Sequence, residues 1–184
     1  MLRYLPNGLT LLRLVLAMPL GIFILRENYT WALATGVAAG LSDALDGFAA
    51  RRLGVLSRFG AALDPIADKI LITVSFVCLA LVDLVPWYLA AAVIIRDVVI
   101  VAGAACYHAL IGPFEFTPSN LSKSNLFIQI SYIVLILLSQ LVAEIPPLAS
   151  VIGEIAVLFI TAASGFDYIM SWTIKALDSR KSTK

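Results

Sequence analysis

Histidine occurs once in this 184-residue chain, cysteine twice, and charged side chains make up only 14% of it. Cys78 and Cys106 lie inside separate apolar stretches, and neither has a second cysteine at metal-ligand spacing. That argues against a cysteine metal centre and for reduced, buried thiols. The lone histidine, His108, stands beside Tyr107 at the end of an apolar run, where an interfacial role is expected. Net charge is only +1, and the basic residues flank apolar runs instead of gathering on one face. They are read as topology signals and not as a groove-lining patch, and no nucleic-acid partner is expected. Internal repeats and low-complexity segments are also absent, so neither a solenoid nor a disordered linker organises the chain.

What is abundant is apolar surface. Hydrophobic residues form 61% of the chain and mean hydropathy is +0.97, far above an ordinary soluble domain. Six apolar runs, roughly 9–25, 29–49, 63–81, 85–107, 126–142 and 148–172, approach the ~20 residues that cross a bilayer. The expected architecture is all-α and polytopic: six transmembrane helices in one membrane domain over 1–184, with a short tail at 173–184. The first run is long enough to span and lacks a small-residue cleavage site, so it is expected to remain as helix one. Pro113, Pro118 and Asn120 make 112–124 the one irregular stretch. Arg3, Arg51, Arg52, Arg58, Lys123, Lys175, Arg180, Lys181 and Lys184 all fall at the N-terminus, the second and fourth loops and the tail. Both termini and the second loop are then expected on the cytoplasmic face.

Against this background four carboxylates stand out: Asp43, Asp46, Asp64 and Asp68. At membrane depth an acid is costly unless it is paired, hydrated or bound to a cation, so such a cluster marks a functional site. Residues three or four apart share a helix face, which groups Asp43 with Asp46 at the end of helix two and Asp64 with Asp68 near the start of helix three. A short connection makes those helices antiparallel neighbours, and the two carboxylate pairs then concentrate negative charge that cations must offset. Oxygen-only donors suit Mg²⁺ or Mn²⁺, and two such ions about 3.5–4 Å apart form the usual clamp for phosphoryl displacement. Gly47, Ala50 and Gly60 would let a bulky ligand approach the backbone, Arg51 offers a planar cation for phosphate, and Arg58 or Lys69 adds charge. The blander alternatives are a structural ion network, helix-capping glycines, and arginines that only set topology.

The pattern Asp43-x2-Asp46-Gly47-x2-Ala50-Arg51-x8-Gly60-x3-Asp64-x3-Asp68 resembles, without a departure, the motif of the CDP-alcohol phosphotransferases. Pro6, Asn7, Thr10 and Arg13 in helix one, LDPIADK in helix three and the six-helix topology extend the resemblance over most of the chain. It implies the fold of that family and transfer of a phosphatidyl group from CDP-diacylglycerol to an alcohol with release of CMP, in a cavity open to the cytoplasmic leaflet. It implies two divalent cations held chiefly by Asp43, Asp46 and Asp64, with Asp68 as both ligand and general base. It also sets Gly47, Ala50 and Arg51 against the CDP portion, where Asp46 has a second contact, and it implies a homodimer in the inner membrane of a bacterium.

The acceptor is less legible. Arg96, inside helix four, and Lys123, in SKSN before helix five, are the candidate binders of an anionic acceptor phosphate, with Arg58 as a further candidate. The alternative is an Arg96–Asp97 pair that balances itself, although sequence neighbours diverge on a helix and a more distant partner is expected. ALVDLVPWYLAAAVIIRDVVIVAG and TPSNLSKSNLFIQ resemble the cardiolipin-synthesising members, which would make phosphatidylglycerol the acceptor. Glycerol 3-phosphate, giving phosphatidylglycerophosphate, is the alternative with nearly the same contacts. Asp167 is assigned no catalysis. A divalent-cation transporter is the reading from another class, and acids gathered at one membrane face beside Arg51 and the glycines suit phosphate better than a midplane ion route.

Overall fold

The computed structural model describes residues 5–53, 58–110, 119–142 and 146–182, with side-chain surroundings for 12–42, 67–104, 119–142, 146 and 148–171. Six helices follow one another among the described residues: α1 Leu5–Leu25, α2 Tyr29–Leu53, α3 Arg58–Leu81, α4 Trp87–Leu110, α5 Asn120–Ser139 and α6 Pro147–Ser182. There is no strand among the described residues. The expected helices are all present, but hydropathy marks only their apolar portions. The α2 and α3 helices continue past those portions through the arginine-bearing ends, α5 starts already at Asn120, and α6 runs on to Ser182. Arginine and lysine are good helix formers, and a helix need not stop where its apolar stretch ends. The irregular stretch expected over 112–124 is helical from Asn120, and its prolines lie outside the described residues.

Among the described residues three helices are apolar enough over sufficient length to cross a membrane, Trp87–Ala104, Asn120–Ser139 and Leu148–Ser171, and Leu12–Leu25 is a shorter apolar helix. Large apolar side chains point outward on these helices: Met18 is 73% exposed, Phe127 72% and Phe159 74%. Water would make such a surface unfavourable, whereas lipid does not.

The chain divides into two compact units, one of Met1–Trp87 with Ile133–Ile145 and the other of Tyr88–Tyr132 with Pro146–Lys184. In the first unit, α1 packs against both α2 and α3. Its inward stripe is Arg13, Ala17, Leu20 and Ile24, spaced at one helical face, while Val15, Met18 and Ile22 look outward. The facing stripe of α2 is built from small residues, Ala32, Thr35, Ala39 and Ser42, which let two membrane helices approach closely. Thr35 and Ser42 satisfy their hydroxyls on the carbonyls of Trp31 and Ala38 in the preceding turn, at 2.7 and 2.9 Å.

Contacts along this interface fix directions. Phe23 meets Trp31 with ring centroids 6.2 Å apart, and Leu20 approaches Gly36, so α1 and α2 are antiparallel. On the other side Arg13 meets Asp68 while Gly21 faces Val74 and Cys78, so α1 and α3 run parallel. This alternation is what successive crossings of a bilayer produce. At Gly21 an added Cβ would lie 2.9 Å from Val74 Cγ1 and 3.2 Å from Cys78 Sγ, so α1 and α3 approach closely there.

Two turns end helices in the same way. After α1 the amides of Glu27 and Asn28 donate to the carbonyls of Ile24 and Phe23, and after α3 those of Asp83 and Leu84 donate to Ala80 and Leu79. These are Schellman closures, which need a left-handed residue after the helix. Glu27 and Asp83 fill that place with φ of 55° and 57°, a conformation that glycine adopts more cheaply.

In the second unit, Leu89, Ala90 and Val93 of α4 and Val157 of α6 are fully buried. Polar residues run through the same core: Thr161 donates to Asn125 at 2.9 Å, and Gln129 donates to Thr161 at 3.3 Å. Each donor or acceptor buried there needs such a partner, since lipid supplies none. At Gly153 the ring of Tyr132 lies 2.6 Å from where a Cβ would sit, so α6 passes directly over that ring.

Two outcomes follow for protein purified in detergent. Gly21→Leu should lower the thermal unfolding midpoint by an amount equivalent to about 1–3 kcal/mol, because the stiff Val74 side chain cannot yield to it. Asp83→Gly should raise the midpoint by the equivalent of up to about 1 kcal/mol by relieving the left-handed turn.

Candidate functional site

Every motif position from Asp43 to Asp68 lies on the backbone of α2 or α3 outside the residues 54–57. Asp43, Asp46, Gly47, Ala50 and Arg51 fall in the last turns of α2. Arg58, Gly60, Asp64 and Asp68 fall in the first turns of α3. Helical spacing keeps Asp43 with Asp46, and Asp64 with Asp68, on common faces. The side-chain surroundings of these residues, Asp68 excepted, lie outside the described residues, as do those of Tyr107, His108 and Cys106.

Helical register adds a level. The antiparallel contacts of Phe23 with Trp31 and Leu20 with Gly36, extended at equal rise per residue, carry Arg13 to the height of the α2 backbone near Ser42 and Asp43. Arg13 is at the same time in contact with Asp68 of α3. The acid-bearing ends of α2 and α3 thus reach one depth beside α1.

Arg13 and Asp68 form an ion pair in which the guanidinium Nη1 donates to carboxylate Oδ1. Arg13 is 1% exposed, whereas the Asp68 side chain is 30% exposed. The cation is therefore sealed in the helix interface and the carboxylate stands at its margin. The resemblance names Arg13 without a role. The signal for one is visible in hindsight, since a single arginine nine residues into an apolar helix must find an anion.

In the second unit Arg96 of α4 is the centre of a polar cluster. Its Nη1 donates to Asp97 Oδ1 at 2.6 Å, and its Nη2 donates to Ser122 Oγ at 3.0 Å and to Ser164 Oγ at 2.6 Å. The guanidinium carbon lies 5.9 Å from the ring centroid of Tyr168, within range of a cation–π contact. The side chains of Arg96 and Asp97 are 9% and 15% exposed. Arg96 pairs with its neighbour, because a long arginine can curl along the helix, and it also has the more distant partners expected of it, on α5 and α6. Lys123 is exposed, and only its backbone amide has a described bond, to the Ser119 carbonyl at 3.2 Å. Asp167 is half-buried on α6. Ser122, Ser164, Asn125, Gln129 and Thr161 were not singled out by sequence as side chains of a cluster. Their spacing, three or four apart on α5 and α6, is the signal that places them on inward faces.

Among the described residues no three histidine, cysteine, aspartate or glutamate side chains make a metal-binding group, and three of the four motif acids lie outside that set. The donor chemistry itself, carboxylate oxygen throughout, fits hard divalent cations.

A family model for CDP-alcohol phosphatidyltransferases matches residues 3–168 and so runs through both units. The rat protein called cardiolipin synthase (CMP-forming) is 32% identical over 179 residues, covering 89% of this chain and 59% of the relative. The human protein of the same name is 46% identical over 98 residues, covering 53% of this chain and 33% of the relative. The Bacillus subtilis CDP-diacylglycerol–glycerol-3-phosphate 3-phosphatidyltransferase is 30% identical over 183 residues, covering 89% of this chain and 92% of the relative. Against the two mammalian relatives the chain spans about three fifths and one third of their length. With the motif of eight fixed positions on α2 and α3 and a family match along nearly the whole sequence, this chain belongs to the CDP-alcohol phosphatidyltransferase family.

Proposed function

We propose that this protein transfers a phosphatidyl group from CDP-diacylglycerol to a glycerol-type hydroxyl and releases CMP. The observation that carries this reading is the coincidence of the family motif with an apolar helical fold in which the fourth motif acid, Asp68, is engaged by a buried arginine. Phosphatidylglycerol is the acceptor we favour, giving cardiolipin, in line with the name of the rat relative. Glycerol 3-phosphate is the second reading, because the Bacillus subtilis relative, matched over 92% of its length, is named for it.

In this reading the acceptor oxygen bonds to the phosphatidyl phosphorus, the bond from that phosphorus to the CMP phosphate oxygen breaks, and the electron pair leaves with CMP. Asp68 takes the proton from the acceptor hydroxyl. Asp43, Asp46 and Asp64, with Asp68, would hold two divalent cations, Mg²⁺ or Mn²⁺. Bound there, the cations would offset the charge of the pyrophosphate and of departing CMP. Gly47, Ala50 and Gly60 leave the helix backbone approachable by the CDP portion, and Arg51 supplies a planar cation to a phosphate. Arg96, with the hydroxyls of Ser122 and Ser164, is the proposed receiver of the acceptor phosphate, and Arg58 and the exposed Lys123 add charge. The acyl chains remain in lipid while the headgroup reacts, so the substrate itself requires a membrane-embedded enzyme. We place it in the cytoplasmic membrane of a bacterium as a six-span homodimer, with both termini and the site on the cytoplasmic side.

Purified protein supplied with Mg²⁺ or Mn²⁺ should release CMP from CDP-diacylglycerol only when an alcohol is present, and chelation should stop it. Asp68→Asn should reduce turnover by at least about 100-fold, the scale of a lost general base; turnover at the normal rate would remove the proposed role. An acceptor panel with products identified by mass separates phosphatidylglycerol from glycerol 3-phosphate, and reaction with neither while another alcohol reacts would refute both. Arg96→Gln should raise KM for the phosphate-bearing acceptor by about tenfold or more, as for loss of a charge-assisted contact, with the KM for CDP-diacylglycerol unchanged.

A further inference from the structure

Arg13 is among the largest fully buried side chains in the described structure. Sealing a guanidinium into a helix interface is costly even when it is paired, and a well-packed apolar pair of similar volume commonly holds two elements together as well or better. Contact between α1 and α3 has other sources: Gly21 lies against Val74 and Cys78, and Ala17, Leu20 and Ile24 complete the buried stripe. Adhesion of the helices therefore gives no reason for a charge at position 13.

The partner of that charge supplies one. Of the carboxylates in the family motif, Asp68 is the one assigned the acceptor proton, and Arg13 donates to its Oδ1. An aspartate at the margin of a helix interface, 30% exposed, can turn about its last torsion, which is broad and roughly two-fold. A base must lie within hydrogen-bond reach of the proton it removes, and loss of that geometry is costly even when the base is still present. The planar guanidinium, held on the rigid body of α1, is suited to hold a carboxylate in one orientation.

We propose that Arg13 is a positioning residue for Asp68: by holding Oδ1 from α1 it sets the orientation in which the carboxylate meets the acceptor hydroxyl. The inference rests on the proposed phosphatidyl transfer. It adds a third helix, α1, to a site that the motif confines to α2 and α3, and it links the close packing at Gly21 to the chemistry about eight residues away along α1.

The test compares wild type, Arg13→Gln and Arg13→Lys, each purified in detergent, assayed with CDP-diacylglycerol, Mn²⁺ and the acceptor that wild type uses. Arg13→Gln should lower kcat about 100-fold, the cost of misplacing a catalytic group, with KM for CDP-diacylglycerol within about twofold of wild type. Arg13→Lys, which keeps the charge but not the planar fork, should fall between the two, about tenfold below wild type. The stabilisation that added CDP-diacylglycerol gives to the thermal midpoint should be the same in all three proteins, because the cations that meet the donor would be held chiefly by Asp43, Asp46 and Asp64. A kcat within about threefold of wild type in Arg13→Gln, or a loss carried by KM or by the donor-dependent midpoint shift, would overturn the inference. Should Arg13→Gln not yield folded protein, Arg13→Lys decides alone: a tenfold lower kcat with unchanged midpoint and donor KM sustains it, and a wild-type kcat refutes it. Wild type that releases no CMP with any acceptor would instead sink the phosphatidyl-transfer reading, and this inference with it.

Discussion

A charge buried among membrane helices must meet its opposite, and the meeting of Arg13 with Asp68 organises the first unit of this protein. Neither residue is tolerable alone at such a place, because lipid and apolar side chains cannot replace the hydration that either loses. Where they meet, α1 and α3 run parallel, and the pair marks the height of one helix against the other. The α2 helix, antiparallel to α1, then brings the backbone near Ser42 and Asp43 to the same level. The ion pair thus stands at the polar end of the unit, next to its apolar body.

That body buries large side chains such as Phe76, Leu79 and Ile72, and small residues bring its helices close. Ala32, Thr35, Ala39 and Ser42 on α2, and Gly21 on α1, leave room for neighbouring helices to approach. In a bilayer this matters more than in water, since lipid tails are as apolar as leucine and burial of apolar surface alone does not draw helices together. Other large side chains, such as Met18, Phe127 and Phe159, are directed outward. The second unit solves the same problem with hydrogen bonds, through the Asn125–Thr161–Gln129 ladder and the cluster around Arg96. Each of these side chains is held by named partners, as a polar group cut off from water must be.

Much of this was legible from the order of residues. The apolar runs located all six helices, since a stretch long enough to span a bilayer has few other fates. The motif on α2 and α3 pointed to the family, because acids that recur at three and four residues in an apolar helix have little purpose except to hold cations or protons. Less legible were the helix ends: the starts of α3 at Arg58 and α5 at Asn120 and the end of α6 at Ser182 lie beyond the apolar stretches, in segments where hydropathy carries no information about helicity. The roles within the second half were harder still. Arg96 was visible as an intramembrane cation, but its reach to Ser122 and Ser164 required knowing which faces of α5 and α6 turn toward α4.

Sequence alone therefore determined the helices, the apolar surroundings and the chemical type of the site, all of which follow from local composition and spacing. Tertiary structure decided who pairs with whom. Arg13 and Asp68 are 55 positions apart, and Arg96 and Ser164 are 68 apart. No periodicity within a helix encodes such distances, because they depend on the direction, rotation and height at which whole helices pack.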